Sequence, residues 1–269
     1  MTRYDGYQEV DIKVDDGVAT VTLNRPSARN AINKVMFDEL RRLWDELSED
    51  KDVNAVLLTG AGDYFSVGGD VKAMAERKFG DVHEEGEMHD PALARRVITR
   101  LLDIDKPTIC AINGDAVGLA ATIALLCDIT VASQTARIGD THVSRVGLVA
   151  GDGGAVIWPL LVGVSRAKEF LMRGTLINGA EAERIGLVNH AVPAGDVLAA
   201  AREIAVELAH GPAWAIRWTK LSVNQVLKQR LNLILEASWA LEMVSAETAD
   251  HREATRAFAE RRKPRFTGR

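Results

Sequence analysis

Residues Asp105 to Asp128 read DKPTICAINGDAVGLAATIALLCD. Thr108-Ile109-Cys110-Ala111-Ile112 is a short apolar run with β-branched members, which fits a buried strand. Asn113-Gly114 breaks it. Gly118 then opens a run too apolar for a surface helix, and Cys127-Asp128 closes it. A strand that feeds a buried helix through glycines leaves free backbone N–H groups at the helix start. Such a place suits a developing negative charge.

The same alternation extends to both sides. Upstream, Val10 to Val14 and Val18 to Leu23 are two strands around the turn Asp15-Asp16-Gly17, a hairpin signal. A helix from about Asn33 carries Val35, Met36, Leu40, Leu43, Trp44 and Leu47 at helical spacing. Asn54 to Leu58 is a buried strand, and the glycine pair in Phe65-Ser66-Val67-Gly68-Gly69-Asp70 opens a short helix through Met74. A helix over Leu93 to Leu102 leads into the opening stretch. Downstream, Ile129 to Ala132 is a strand, Gly139 to Gly154 is irregular and glycine-rich, and a helix with Trp158-Pro159 follows. From Ser165, which reads as a helix cap, the chain is helical except for Leu187 to Val192, with long helices from Ala194, Pro212 and Arg230. The pattern predicts an α/β core, residues 1–195, followed by a helical C-terminal region, residues 196–269.

Composition narrows the function classes. The 269 residues are 47% hydrophobic with a net charge of -5, which fits a globular core and argues against nucleic acid as the main partner. Cys110 and Cys127 both lie in apolar runs and read as reduced core residues. The first residues lack an apolar signal core, and no apolar run approaches the roughly 20 residues of a membrane span. The expectation is a cytoplasmic protein with no membrane partner. Residues 76 to 91 are charged and aperiodic, and His83, Glu84, Glu87, His89 and Asp90 meet no metal-ligand spacing. No metal and no nicotinamide cofactor is expected, because the glycines form no dinucleotide fingerprint.

Six stretches together resemble the crotonase (enoyl-CoA hydratase/isomerase) superfamily. They are Leu23-Asn24-Arg25-Pro26 with Asn30-Ala31; Phe65 to Lys72; Pro107 through Asn113-Gly114 to Cys127-Asp128; Gly147 to Gly154; Ala182 to Val188; and Phe258 to Arg269. They span nearly the whole chain in the family's order. The resemblance implies a spiral of ββα units with a C-terminal helical region that forms a homotrimer or a dimer of trimers. It implies acyl-CoA thioester substrates, with coenzyme A part of the substrate and no permanently bound cofactor. It also implies an oxyanion hole of two backbone N–H groups, here Gly69 and Leu119 by motif position. Each such donor is worth roughly 2.7–4 kcal/mol. The family usually has glycine where Leu119 stands, so the leucine side chain must point away from the thioester. For coenzyme A, the resemblance points to Ser27, Ala28, Ser66, Gly68, Asp70, Val71 and Lys72. Phe258 and Lys263 of the tail join them, reaching the phosphates from a neighbouring subunit.

The chain also departs from the family. Hydratases of this kind hold one water between two glutamates. The first lies three residues past the second oxyanion donor, where this chain has Thr122; the match to the second is His142. The segment Asp140 to Val146 is one residue longer than usual. A threonine hydroxyl is a poor base, whereas histidine, with an ordinary pKa near 6.5, is a usable one. Asp152 in Gly151-Asp152-Gly153-Gly154 is the remaining acid; isomerases of the family place a carboxylate in this turn, at the position of Gly151. Asp140 is a lesser candidate, and the Asn-Gly-Asp turn accounts for Asp115. The leading reading is an enoyl-CoA hydratase/isomerase-type enzyme in which Asp152 or His142 moves the proton and Thr122 holds water or substrate. The alternatives are acyl-CoA hydrolysis or aryl-CoA ring chemistry through Asp152, and a non-catalytic CoA-binding homologue.

Overall fold

A computed structural model describes residues 3–72 and 95–269. The helix end at Met74, the candidate ligands between 76 and 91, and Leu93 lie outside them.

Strands β1 (Val10–Asp15) and β2 (Val18–Leu23) form the expected antiparallel hairpin. Helix α1 (Lys34–Glu49) is capped by Asn33, whose side chain accepts from the Met36 N–H at 3.0 Å. Its inner stripe is Met36, Phe37, Leu40, Leu43, Trp44 and Leu47, all buried. Val35, which the spacing placed on that stripe, is exposed. Strand β3 (Ala55–Gly60) is buried along its whole length and pairs in parallel with β2.

The spiral expected from the sequence is present. Each buried strand of the first sheet hands the chain to a short strand of a second. Thus β3 leads to β4 (Tyr64–Ser66), β5 (Thr108–Ile112) to β6 (Asp115–Val117), and β7 (Ile129–Ser133) to β8 (Arg137–Gly139). The first sheet has the order β1-β2-β3-β5-β7-β10, with β10 at His190–Val192. The second runs β4-β6-β8-β9, with β9 at Ile177–Asn178. Every pairing in the first sheet beyond the hairpin is parallel, and so are β4–β6 and β6–β8. The ends of β4, β6 and β8 therefore emerge side by side.

Helices α2 (Arg96–Asp103) and α3 (Leu119–Leu126) line the interior, and all eight residues of α3 are buried. Then come α4 (Gly154–Val162), α5 (Val164–Arg173) and α6 (Gly179–Arg184). Ser165 does not cap α5; Gly163 holds the cap position and Ser165 lies in the first turn. Helix α7 (Val197–Ala209) buries Val197, Ala201, Ala205 and Ala209, one residue per turn, against Val18, Ala55, Leu57, Ile109, Ala111 and Val131. The two helices expected from Pro212 and Arg230 are one continuous 34-residue helix, α8 (Ala213–Ala246), about 50 Å long. Around Arg230 the sequence holds no glycine, proline or cap, so nothing stops the first helix. Helix α9 (Ala249–Ala259) follows, and the tail folds back along it, with Thr267 and Gly268 donating to Asp250.

A single asparagine ties the loop after β2 to β4. Asn30 is fully buried with φ 54°, and its Nδ2 donates to the carbonyls of Ala61 (2.9 Å), Tyr64 (2.8 Å) and Phe65 (3.2 Å). Its Oδ1 accepts from Arg25 N–H at 2.9 Å. Asn30→Ala strands these groups and places alanine in a left-handed conformation. We expect a loss of about 3 kcal/mol in denaturant unfolding; a loss below about 1 kcal/mol would show that the loop is held by other contacts.

Candidate active site

Two loops emerge from the parallel pair β4–β6. In the first, Ile32 bridges the chain on either side of Gly69: its N–H donates to Gly68 O at 2.8 Å, and its carbonyl accepts from Asp70 N–H at 3.0 Å. Parallel pairing of this kind turns the N–H of Gly69 away from Ile32. Gly69 therefore sits in a bridge and not at the start of a helix; helical structure begins at Val71. In the second loop, Gly118 has φ 57° and ψ -129°, a region that needs glycine. Its N–H is held by Gly139 O at 3.0 Å. Leu119 opens α3, so its N–H has no carbonyl within the helix. The Leu119 side chain joins the hydrophobic core. The two loops touch: a Cβ on Gly68 would meet Val117 O at 2.4 Å and the Gly118 α-carbon at 3.7 Å.

One helical turn into α3, Thr122 is fully buried beside a set of acids and an imidazole. The segment after β8 forms a single π-turn, His142–Val146, ended by Gly147 at φ 67°. Asp140 accepts both the His142 backbone N–H (2.9 Å) and Nδ1–H (2.8 Å) through the same oxygen. That fixes the ring, and Nε2 faces Asp152 Oδ2 at 3.4 Å. The ring also lies over the backbone before Leu119: a Cβ on Gly118 would meet His142 Cε1 at 3.2 Å. Sequence reasoning missed the fifth member, Glu242 of α8. Leu231, Leu235, Ser238 and Glu242 recur at steps of four, three and four, so an acid on the inward stripe was the available signal. Isomerase-type spacing puts a carboxylate at 151, but Gly151 is pressed against α8, and Asp152 is the residue turned into the cluster.

The electrostatics follow from burial and partners. Burial alone would push the His142 imidazole down, yet the Asp140 and Asp152 carboxylates outweigh it and hold the ring well above the usual range. That shift favours the imidazolium over the neutral ring. Burial would raise Asp140, but His142's charge and hydrogen bonds keep it low. Burial lifts Asp152 to about 6, against the pull of His142. Burial and the Asp152 charge lift Glu242 to about 8. Thr122 favours charged Asp152 without meeting hydrogen-bond geometry. Among the described residues, Thr122 Oγ1, Asp140 Oδ2, Asp152 Oδ1 and Glu242 Oε2 are buried without a hydrogen-bond partner. Ligand-type atoms of Asp140, His142 and Asp152 lie within 4.8 Å of one another. Both ring nitrogens are turned to carboxylates, an imidazolium arrangement and not a cation cage.

The Ile32 bridge and the Asn30 bonds bring the candidate coenzyme A loops together. Ser27 and Lys72 are exposed, while Ala28, Asp70 and Val71 are half-buried. Ser66 is spent on the backbone, donating to Asn30 O at 2.6 Å and accepting from Gly68 N–H at 3.2 Å. Asp70 pairs with Arg25 at 3.3 Å. Phe258 and Lys263 are exposed at the other end of the chain, on α9 and the tail, and α9 packs on the π-turn and α8.

Comparison with known proteins agrees with this architecture. The enoyl-CoA hydratase/isomerase family model matches residues 13–269. A short-chain-enoyl-CoA hydratase from Clostridium acetobutylicum is 34% identical over 94% of this chain and 95% of its own. A crotonyl-CoA hydratase from Syntrophomonas wolfei is 30% identical over 97% and 98%. The crystal structure of an enoyl-CoA hydratase/isomerase from Mycobacterium paratuberculosis superposes with a TM-score of 0.86, at 32% identity over 94% of this chain and 99% of that one.

The imidazolium assignment is open to NMR. The His142 ring should remain protonated through pH 7, and Asp140→Asn should lower its midpoint by about one unit or more, because burial then acts with less opposition. An unchanged midpoint would remove Asp140 as the group that sets it.

Proposed function

The chain belongs to the enoyl-CoA hydratase/isomerase family, and on that premise we propose that it relocates a double bond in an enoyl-CoA thioester. Asp152 is the base in this reading. It takes a proton from the α-carbon, the electron pair moves onto the thioester oxygen, and a dienolate forms. The same carboxyl returns the proton to the γ-carbon, leaving the double bond between the α- and β-carbons. The N–H groups of Gly69 and Leu119 receive the oxygen as it becomes negative.

The observation that carries the reading is the cluster itself. Asp152 is a buried carboxylate beside Thr122, which lies one helical turn after Leu119, and burial raises its pKa to about 6. The two positions at which family hydratases activate water hold a neutral hydroxyl, Thr122, and an imidazolium, His142. Neither is a base at neutral pH, so proton transfer within the substrate is favoured over addition of water. His142 counters the Asp152 charge and keeps the carboxylate from rising further.

Ser27, Ala28, Gly68, Asp70, Val71 and Lys72 border the path for coenzyme A in this reading, with Ser66 shaping the turn from behind. Helix α8 exposes Trp214, Trp218, Val223, Val226, Leu233, Leu241 and Val244. So much apolar surface on one helix supports assembly into a homotrimer or a dimer of trimers. That would let Phe258 and Lys263 serve a neighbour. Among the described residues no helix is long and apolar enough to cross a membrane.

The test is turnover of β,γ- and α,β-enoyl-CoA and aryl-CoA thioesters by the purified protein. Isomerisation should exceed hydration, and its rate should fall as pH drops below about 6. Asp152→Asn should lower kcat by about 10²–10⁴-fold while thioester binding persists. Faster hydration than isomerisation, hydrolysis alone, or binding without turnover of any thioester would each overturn the proposal.

A further inference from the structure

Glu242 has no part in the chemistry above, yet its carboxyl is closed into the same cluster. Helix α8 lies directly on the Gly151–Asp152 peptide. A Cβ on Gly151 would sit 2.3 Å from Ser238 O and 2.8 Å from both Cβ and Oε2 of Glu242. Ser238 Oγ holds the Gly151 carbonyl at 3.0 Å. The Glu242 carboxyl is thus wedged against the residue that precedes the proposed base. Its Oε2 and Asp152 Oδ1 are both buried with no partner.

Among the described residues the charges around this pair are few. The loop from β8 to α4 contributes Asp140, His142 and Asp152, its Arg145 being exposed, and α3 contributes only the Thr122 hydroxyl. Helix α9 turns His251 inward, with Nδ1 2.7 Å from Val146 O. On α8 itself, Ser245 Oγ donates to the Glu242 carbonyl at 2.7 Å, and the next acid back, Glu236, pairs with Arg95. Three carboxyls therefore share one imidazolium. His142 has both nitrogens turned to Asp140 and Asp152 and none to Glu242. A buried carboxylate next to another, with no cation of its own, keeps a proton.

We infer that Glu242 is a positioning residue that holds a proton at neutral pH, and by staying neutral leaves Asp152 as the ionised carboxylate of the pair. The inference rests on Asp152 being the base. When Glu242 ionises, a second negative charge arrives beside Asp152 and close to where the enolate forms. That opposes a step which itself creates an anion. Asp152 and Glu242 then titrate as one system, with apparent steps near 6 and 8.

The experiment is the pH dependence of kcat/KM for isomerisation by the full-length wild type, Glu242→Gln, Glu242→Asp and Asp152→Asn. Wild type should show an acid limb near 6 and an alkaline limb near 8. Glu242→Gln, which imitates the protonated acid, should keep the first limb and lose the second. Near pH 9 it should exceed wild type by about tenfold. Glu242→Asp should restore the alkaline limb. An alkaline limb that persists in Glu242→Gln, with Asp152→Asn inactive, overturns the role of Glu242 alone. Asp152→Asn with wild-type activity overturns the base assignment instead. Where Glu242→Gln does not fold, infrared spectroscopy of wild type with labelled glutamate provides the second readout. A protonated-carboxyl band at pH 7 that vanishes through pH 8 supports the inference, and its absence at pH 7 overturns it.

Discussion

The imidazolium of His142 between Asp140 and Asp152 is the interaction on which the site depends. It lowers the pKa of both acids against the burial that raises them. The ring is in turn held by a backbone N–H and by Nδ1–H on one Asp140 oxygen, so its aim toward Asp152 is set before any substrate arrives. Its packing over Gly118 ties this charge network to the strand–glycine–helix unit that presents the Leu119 N–H. The Leu119 backbone and the buried acids are therefore parts of one packed arrangement.

The architecture serves that arrangement through parallel stacking. Because β4, β6 and β8 pair in parallel, their following loops come out at one end, and each delivers one component. The loop after β4 brings Gly69, that after β6 brings Leu119 and Thr122, and that after β8 brings Asp140 and His142. Asn30 holds the first loop in place. Helix α8 closes the far side, with Ser238 on the Gly151 carbonyl and Glu242 behind Asp152.

Much of this was legible in the sequence because it is local. Buried strands, the hairpin turn and the glycine-to-helix junction are encoded in adjacent residues. The protonation state of His142 was not legible. An isolated histidine titrates near neutrality, and the two carboxylates that raise it, one of them at the far end of the same β8–α4 connection, meet it only in the folded chain. Glu242 escaped for a related reason: its significance lies in where α8 crosses the Gly151 turn, which no short window records. The helix expected to start at Arg230 is the continuation of the one from Ala213, since no glycine or proline interrupts the chain there.

The π-turn at His142–Val146 has a consequence of its own. In an α-helix each residue advances the azimuth by about 100°. The wider π-turn advances by less per residue, so its side chains point in directions that an α-helical turn of the same residues would not give. Chain length, as much as side-chain identity, therefore sets the direction of the imidazole. Deleting one residue of the turn would keep the chemistry of the side chain but not its bearing.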